Sequence, residues 1–104
     1  MGELGRMRTV WKFELSKLSG NEVIVTMPKG AEILCVGTQD HRSIMLWALV
    51  DPESEKEDRR FAVFGTGHPI FDTNLKYLGT AQWANDPDPR MAVFLVWHVF
   101  EVVE

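Results

Sequence analysis

Residues 44–50 read Ile44-Met45-Leu46-Trp47-Ala48-Leu49-Val50, seven apolar side chains in succession, preceded by Ser43 and followed by Asp51-Pro52. A short run without polar alternation is the pattern of a strand covered on both faces, as in the middle of a small barrel or sandwich. On its N-terminal side, Trp11, Phe13 and Leu15 alternate with Lys12 and Glu14, the period of a half-buried strand. Ser19-Gly20-Asn21 has turn chemistry, residues 22–27 are rich in Val and Ile, and Pro28-Lys29-Gly30 makes a tight turn into a third strand over residues 31–37. A polar cluster, residues 38–42, leads back to the apolar run.

On the C-terminal side, Asp51-Pro52-Glu53 can open one helical turn, and residues 60–64 resume an extended pattern. The segment between them reads as the loop of a long hairpin. Gly65-Thr66-Gly67-His68-Pro69 interrupts regular structure, and residues 75–80 form a short strand containing Tyr77. Trp83 falls in a loop-like stretch, and Asp86-Pro87-Asp88-Pro89 is a rigid loop. Residues 91–103 close the chain as its longest and most apolar strand. The expectation is an all-β fold, a small antiparallel barrel or sandwich of about seven strands with no long helix. One domain spans residues 7–104, with residues 1–6 as a flexible extension or an added leader. A final strand apolar on both faces is either central or paired with a second chain, which points to a homodimer.

The chain has 104 residues, 45% hydrophobic and 25% charged, a balance that excludes a disordered tail, a collagen-like repeat and a disulfide framework. Eleven Lys and Arg against fifteen Asp and Glu give a net charge of −4, which argues against general nucleic-acid binding. Residues 51–58 hold five acids and one lysine, so Glu53, Glu55 and Glu57 are candidates for docking a basic protein partner. Cys35 lies in an apolar run and is expected to be a buried, inert thiol. No 18-residue apolar stretch and no signal-peptide pattern are present, so no membrane is expected and the reading is cytoplasmic.

The most specialised segment is Gly65-Thr66-Gly67-His68. Its glycines permit left-handed backbone and close approach of a ligand, and successive amides can cup an anion, with Thr66 and His68 as added donors. Arg59 and Arg60 stand five or six residues upstream and can supply charge, while Trp83 offers an exposed ring for stacking. Arg60, Gly65, Thr66, Gly67, His68 and Trp83 are therefore the candidate ligand residues. The competing reading of the loop is a turn that leaves a strand. His41, His68 and His98 lack metal-ligand spacing, and no cofactor is expected. His98, on an apolar strand face, reads as a neutral histidine satisfied by a backbone carbonyl. Ser43, Ser54 and Thr66 have no local context for nucleophilic catalysis, so no enzyme is expected.

Five pieces, Trp11-Lys12-Phe13-Glu14-Leu15, Met27-Pro28-Lys29-Gly30-Ala31, Leu46-Trp47-Ala48-Leu49-Val50-Asp51, Gly65-Thr66-Gly67-His68-Pro69-Ile70 and Val96-Trp97-His98-Val99-Phe100-Glu101, carry a resemblance. Over residues 8–101 the chain resembles a family of small tailed-phage and prophage proteins of uncharacterised function. That resemblance implies a phage accessory gene expressed in the host bacterial cytoplasm, and it carries over no functional residue. The expected function is sequestration of a small anionic ligand, such as a host immune signalling nucleotide. The alternatives are direct inhibition of a host defence protein through the acidic segment and exposed aromatics, and a structural or assembly role in the virion.

Overall fold

The computed structural model of the protein describes residues 6–15, 22–39, 43–84, 88, 90, 91 and 94–103. Seven strands follow in chain order: β1 (Thr9–Glu14), β2 (Glu22–Pro28), β3 (Glu32–Thr38), β4 (Ile44–Val50), β5 (Lys56–Gly65), β6 (Leu75–Ala84) and β7 (Phe94–Val102). All pairings are antiparallel, in one sheet of order β1-β4-β3 and another of order β2-β5-β7-β6. Among the described residues β1 and β2 share no ladder, so the barrel does not close and the fold is a two-sheet sandwich.

The apolar run became β4, the central strand of the three-stranded sheet, because only a strand with neighbours on both sides and cover on a face can bury that many carbons. Leu46, Ala48 and Val50, with Leu15 on the same sheet, share one core with Met27, Phe61, Val63, Ala81 and Val99 of the other. Trp11 and Phe13 pack against it while Val10, Lys12 and Glu14 stay exposed, the alternation of a one-sided strand. At one side the sheets approach closely: a Cβ on Gly79 would lie 3.1 Å from Val36 Cβ.

Several boundaries differ from the sequence reading. β5 begins at Lys56, so Glu57 and Asp58 are strand residues opposite Met27 and Thr26 and only residues 51–55 are loop. The loop is tight, with the Ser54 amide donating to the Asp51 carbonyl at 3.1 Å. Strand β6 runs on to Ala84, since Trp83 and Ala84 pair with Leu95 and Phe94; Trp83 is thus in a strand. Its ring lies outside the described residues, as do His41, Asp86 and the turn at Ser19-Gly20-Asn21. Among the described residues β5 and β6 have ten residues each and β7 nine; Ala92 and Val93, within the expected last strand, lie outside the described residues. β7 lies between β5 and β6, which pair both its edges, while Phe94 and Leu95 at its start stay exposed. Cys35 is exposed, because a bulge between Ile33 and Cys35 turns it out of the core. Arg6 bonds Asp51 and ties the start of the described chain to the sandwich.

Candidate functional site

The segment 65–68 is a tight turn at the end of β5. The His68 amide donates to the Gly65 carbonyl at 3.1 Å, Gly67 has φ 87°, and no described non-glycine residue has positive φ. With only its third residue left-handed, the turn is type II, and Gly67 is the residue that conformation requires. Gly65 is needed for a different reason. A Cβ there would lie 2.8 Å from His68 Cε1, because the imidazole folds back over the strand end. The Gly65 amide donates to His68 Nδ1 at 3.2 Å. An imidazole accepting at Nδ1 carries its proton on Nε2, so neutral His68 is a donor at that nitrogen.

Two distant motifs meet here. Thr66 Oγ1 lies 2.8 Å from His98 Nε2, and the His68 ring meets Trp97 edge-on with centroids 6.5 Å apart. His98 Nδ1 is 3.1 Å from Thr80 Oγ1, which is 2.5 Å from the Tyr77 hydroxyl. Tyr77 stands edge-on to Phe100 at 5.6 Å and Phe100 to Phe64 at 5.9 Å, a small aromatic layer on the outer face of the four-stranded sheet. His98 is thus satisfied by two hydroxyls.

β5 ends opposite Trp97, whereas the β6–β7 ladder continues to Phe94. The turn therefore sits beside a length of β7 that no longer has β5 as a neighbour. Between them is a groove of about 240 Å³ lined by Gly65, Thr66, His68 and residues 94–97. Its wall is apolar, with Phe94 64% exposed, and its polar groups are the Thr66 hydroxyl and the His68 imidazole.

A family model described as "Domain of unknown function (DUF7352)" matches residues 7–104. The chain belongs to this family. Neither the curated proteins nor the solved structures give a match.

In this DUF7352 chain the groove unites Gly65, Thr66 and His68, with Gly67 shaping the turn, but it does not include Arg60. Six residues of extended chain place Arg60 about 20 Å before Thr66. Its guanidinium bonds Glu22 at 3.0 Å and lines a separate hollow with residues 71–74. Strand alternation sends Arg59 to the opposite face from Arg60. There Arg59 bonds both Glu101 carboxylate oxygens at 2.7 and 2.8 Å and the Ala31 carbonyl at 2.6 Å. The Glu101 hydrogen bonds raise the Arg59 pKa above the ordinary guanidinium value against an opposing burial effect, and the Glu101 and Glu57 charges add to the rise. Neither arginine reaches the loop. Two amides of the expected anion cup, those of Gly65 and His68, are already bonded within the turn. What remains is a neutral donor pair beside aromatic carbon.

The acidic candidates also divide. Glu53 and Glu55 are exposed on the loop, where the Glu53 amide donates to Asp51 Oδ1 at 3.0 Å, whereas Glu57 is half-buried and accepts the Gly30 amide at 3.4 Å. Among the described residues no cluster of three metal-capable side chains occurs, and no helix is long and apolar enough to cross a membrane. His98 was expected to be satisfied by a backbone carbonyl, and its partners are instead the hydroxyls of Thr66 and Thr80. Its signal was a lone histidine in an otherwise apolar strand, a position that demands hydrogen-bond partners from elsewhere.

Proposed function

We propose that this protein is a non-enzymatic phage accessory protein of the host cytoplasm that binds and sequesters a small ligand in the groove beside the turn 65–68. The observation that carries the reading is the convergence of the Gly-Thr-Gly-His turn with Trp97 and Phe94, which sets two side-chain donors against an aromatic wall. A planar ring joined to an oxygen-rich group fits that pairing, and a nucleotide has both. With both arginines bonded elsewhere, recognition of the anionic part rests on neutral donors. A groove of about 240 Å³ is smaller than the usual small-molecule site. In this reading a second copy, packed on exposed Phe94 and Leu95, completes it.

Native mass spectrometry of the protein before and after exposure to a nucleotide-rich bacterial extract tests this. A dimer with a few hundred daltons of added mass, absent from Thr66→Val, is the expected result. An unchanged mass in both samples overturns it. The exposed carboxylates of Glu53 and Glu55 favour the second reading, inhibition of a host protein with a basic surface. Under it, Glu53→Lys with Glu55→Lys abolishes salt-sensitive capture of the partner while groove substitutions leave capture intact.

A further inference from the structure

We propose that Tyr77, Thr80, His98 and Thr66 form a hydrogen-bond relay with a fixed direction, which makes the Thr66 hydroxyl a permanent donor into the groove. The inference rests on the ligand-binding reading of that groove and assigns a positioning role to Tyr77 and Thr80, neither of which lines it. The four groups are in continuous contact: Tyr77 OH to Thr80 Oγ1 at 2.5 Å, Thr80 Oγ1 to His98 Nδ1 at 3.1 Å, and His98 Nε2 to Thr66 Oγ1 at 2.8 Å.

Each hydroxyl has one proton, and a neutral imidazole has one proton shared between two nitrogens, so the chain can point only two ways. The chemistry of its ends decides between them. A phenol is a stronger acid than an aliphatic alcohol, and its oxygen lone pair is delocalised into the ring. Tyr77 is therefore the better donor and the poorer acceptor, and in the proposed direction it donates to Thr80 Oγ1. Thr80 then gives its proton to His98 Nδ1, and His98 carries its own proton on Nε2 and donates to Thr66. The Thr66 proton, not needed by His98, is directed outward. Successive bonds of one sense polarise each other, which strengthens the arrangement.

Thr66 and His68 Nε2 thus become two donors on the same groove, and His68 offers no acceptor there while it is neutral and its Nδ1 holds the Gly65 amide. The pair of donors favours a ligand group that accepts twice, an oxyanion of the phosphoryl or carboxylate kind.

The experiment is nitrogen NMR of protein labelled with ¹⁵N-histidine at mildly alkaline pH, combined with titration of adenosine monophosphate and of adenosine. The expected result is His98 as the Nε2–H tautomer, with Tyr77→Phe, which keeps the ring on Phe100, populating the reverse tautomer. In a Thr80→Val background, which retains the shape of the side chain but breaks the chain of hydroxyls, Tyr77→Phe should no longer change the tautomer. Adenosine monophosphate should bind more tightly than adenosine, and Tyr77→Phe should weaken it about three- to ten-fold without touching it. An Nδ1–H tautomer, a doubly protonated ring, or a tautomer indifferent to Tyr77→Phe overturns the relay even if the nucleotide binds. Equal affinity for adenosine and its monophosphate overturns the oxyanion selection. The Nε2–H tautomer with neither compound perturbing the groove upholds the relay and removes the ligand reading instead.

Discussion

Replacing Gly65 by alanine should have opposite effects on stability depending on whether His68 is present. Gly65 has no positive φ, so alanine can adopt its backbone conformation, and the nearest neighbour of the added carbon is the imidazole, at 2.8 Å from Cε1 and 3.0 Å from Nδ1. The ring is exposed and can rotate away. Doing so forfeits the bond from the Gly65 amide, about 0.5–1.5 kcal/mol, and the edge contact with Trp97, about 0.5–1.5 kcal/mol, each at the low end for an exposed site. Against that roughly 1 kcal/mol stands the reduced entropy of the unfolded chain, about 0.4–1 kcal/mol in favour of alanine. Gly65→Ala alone should therefore be neutral or slightly destabilising. In a His68→Ala background there is no ring to displace, and the same substitution should stabilise by about 0.4–1 kcal/mol.

The assay is a double-mutant cycle by urea unfolding of the four proteins, followed by tryptophan fluorescence. A coupling of about 1 kcal/mol is expected, equivalent to roughly 4–5 °C in Tm for a domain of this size. Additive effects would show that the imidazole is not folded over Gly65, and the turn geometry argued for the site would be wrong.

Gly67→Ala meets no atom within 4 Å but must adopt φ 87°, so it should cost about 1–2 kcal/mol in the same unfolding assay whatever stands at position 68. Gly79→Ala drives a methyl group to 3.1 Å from Val36 Cβ, a stiff β-branched neighbour at the sheet junction, and should lower stability by roughly 1 kcal/mol in the same assay; Val36→Ala, which keeps that Cβ, should not restore it. Glu101→Ala strands the Arg59 guanidinium, whose side chain is only 17% exposed, and should cost about 2–3 kcal/mol; the double change Arg59→Met with Glu101→Leu should recover most of that in thermal unfolding. The Asp88 carboxyl is held below its ordinary pKa by the Arg90 side chain and then by the Arg90 amide. A depressed folded-state value contributes stability above the ordinary carboxylate range and loses it as pH falls through the depressed value. Arg90→Ala should therefore move the Asp88 titration, followed by carboxyl-carbon NMR, upward but not fully to the ordinary value, since the amide bond at position 90 remains.

Strand identity was legible along most of the chain because it is a local property: alternation at Trp11, Phe13 and Leu15 and the unbroken run in β4 record which faces are dry. The acidic start of β5 was misread because the charges on Glu57 and Asp58 suggest solvent, whereas their strand conformation comes from the ladder with β2 some thirty residues earlier. Trp83 was misread for the same reason, its backbone being held by Leu95. Cys35 left the core through a bulge, which shifts register without leaving a mark in composition.

The sequence by itself determined an all-β chain, its turn at residues 65–68 and the donor types that turn carries, since glycine's tolerance of positive φ and the alternation of strand residues act over a few neighbours. Only the tertiary structure decided what those donors face. Thr66 meets His98 across 32 positions, and Arg59 and Arg60, six and five residues before Gly65, are carried by an extended strand to opposite faces and into ion pairs with Glu101 and Glu22. A strand separates sequence neighbours by about 3.3 Å per residue while its ladders join residues far apart in the chain, so the partners of a side chain in a β-sandwich are set by sheet order rather than by proximity in the sequence.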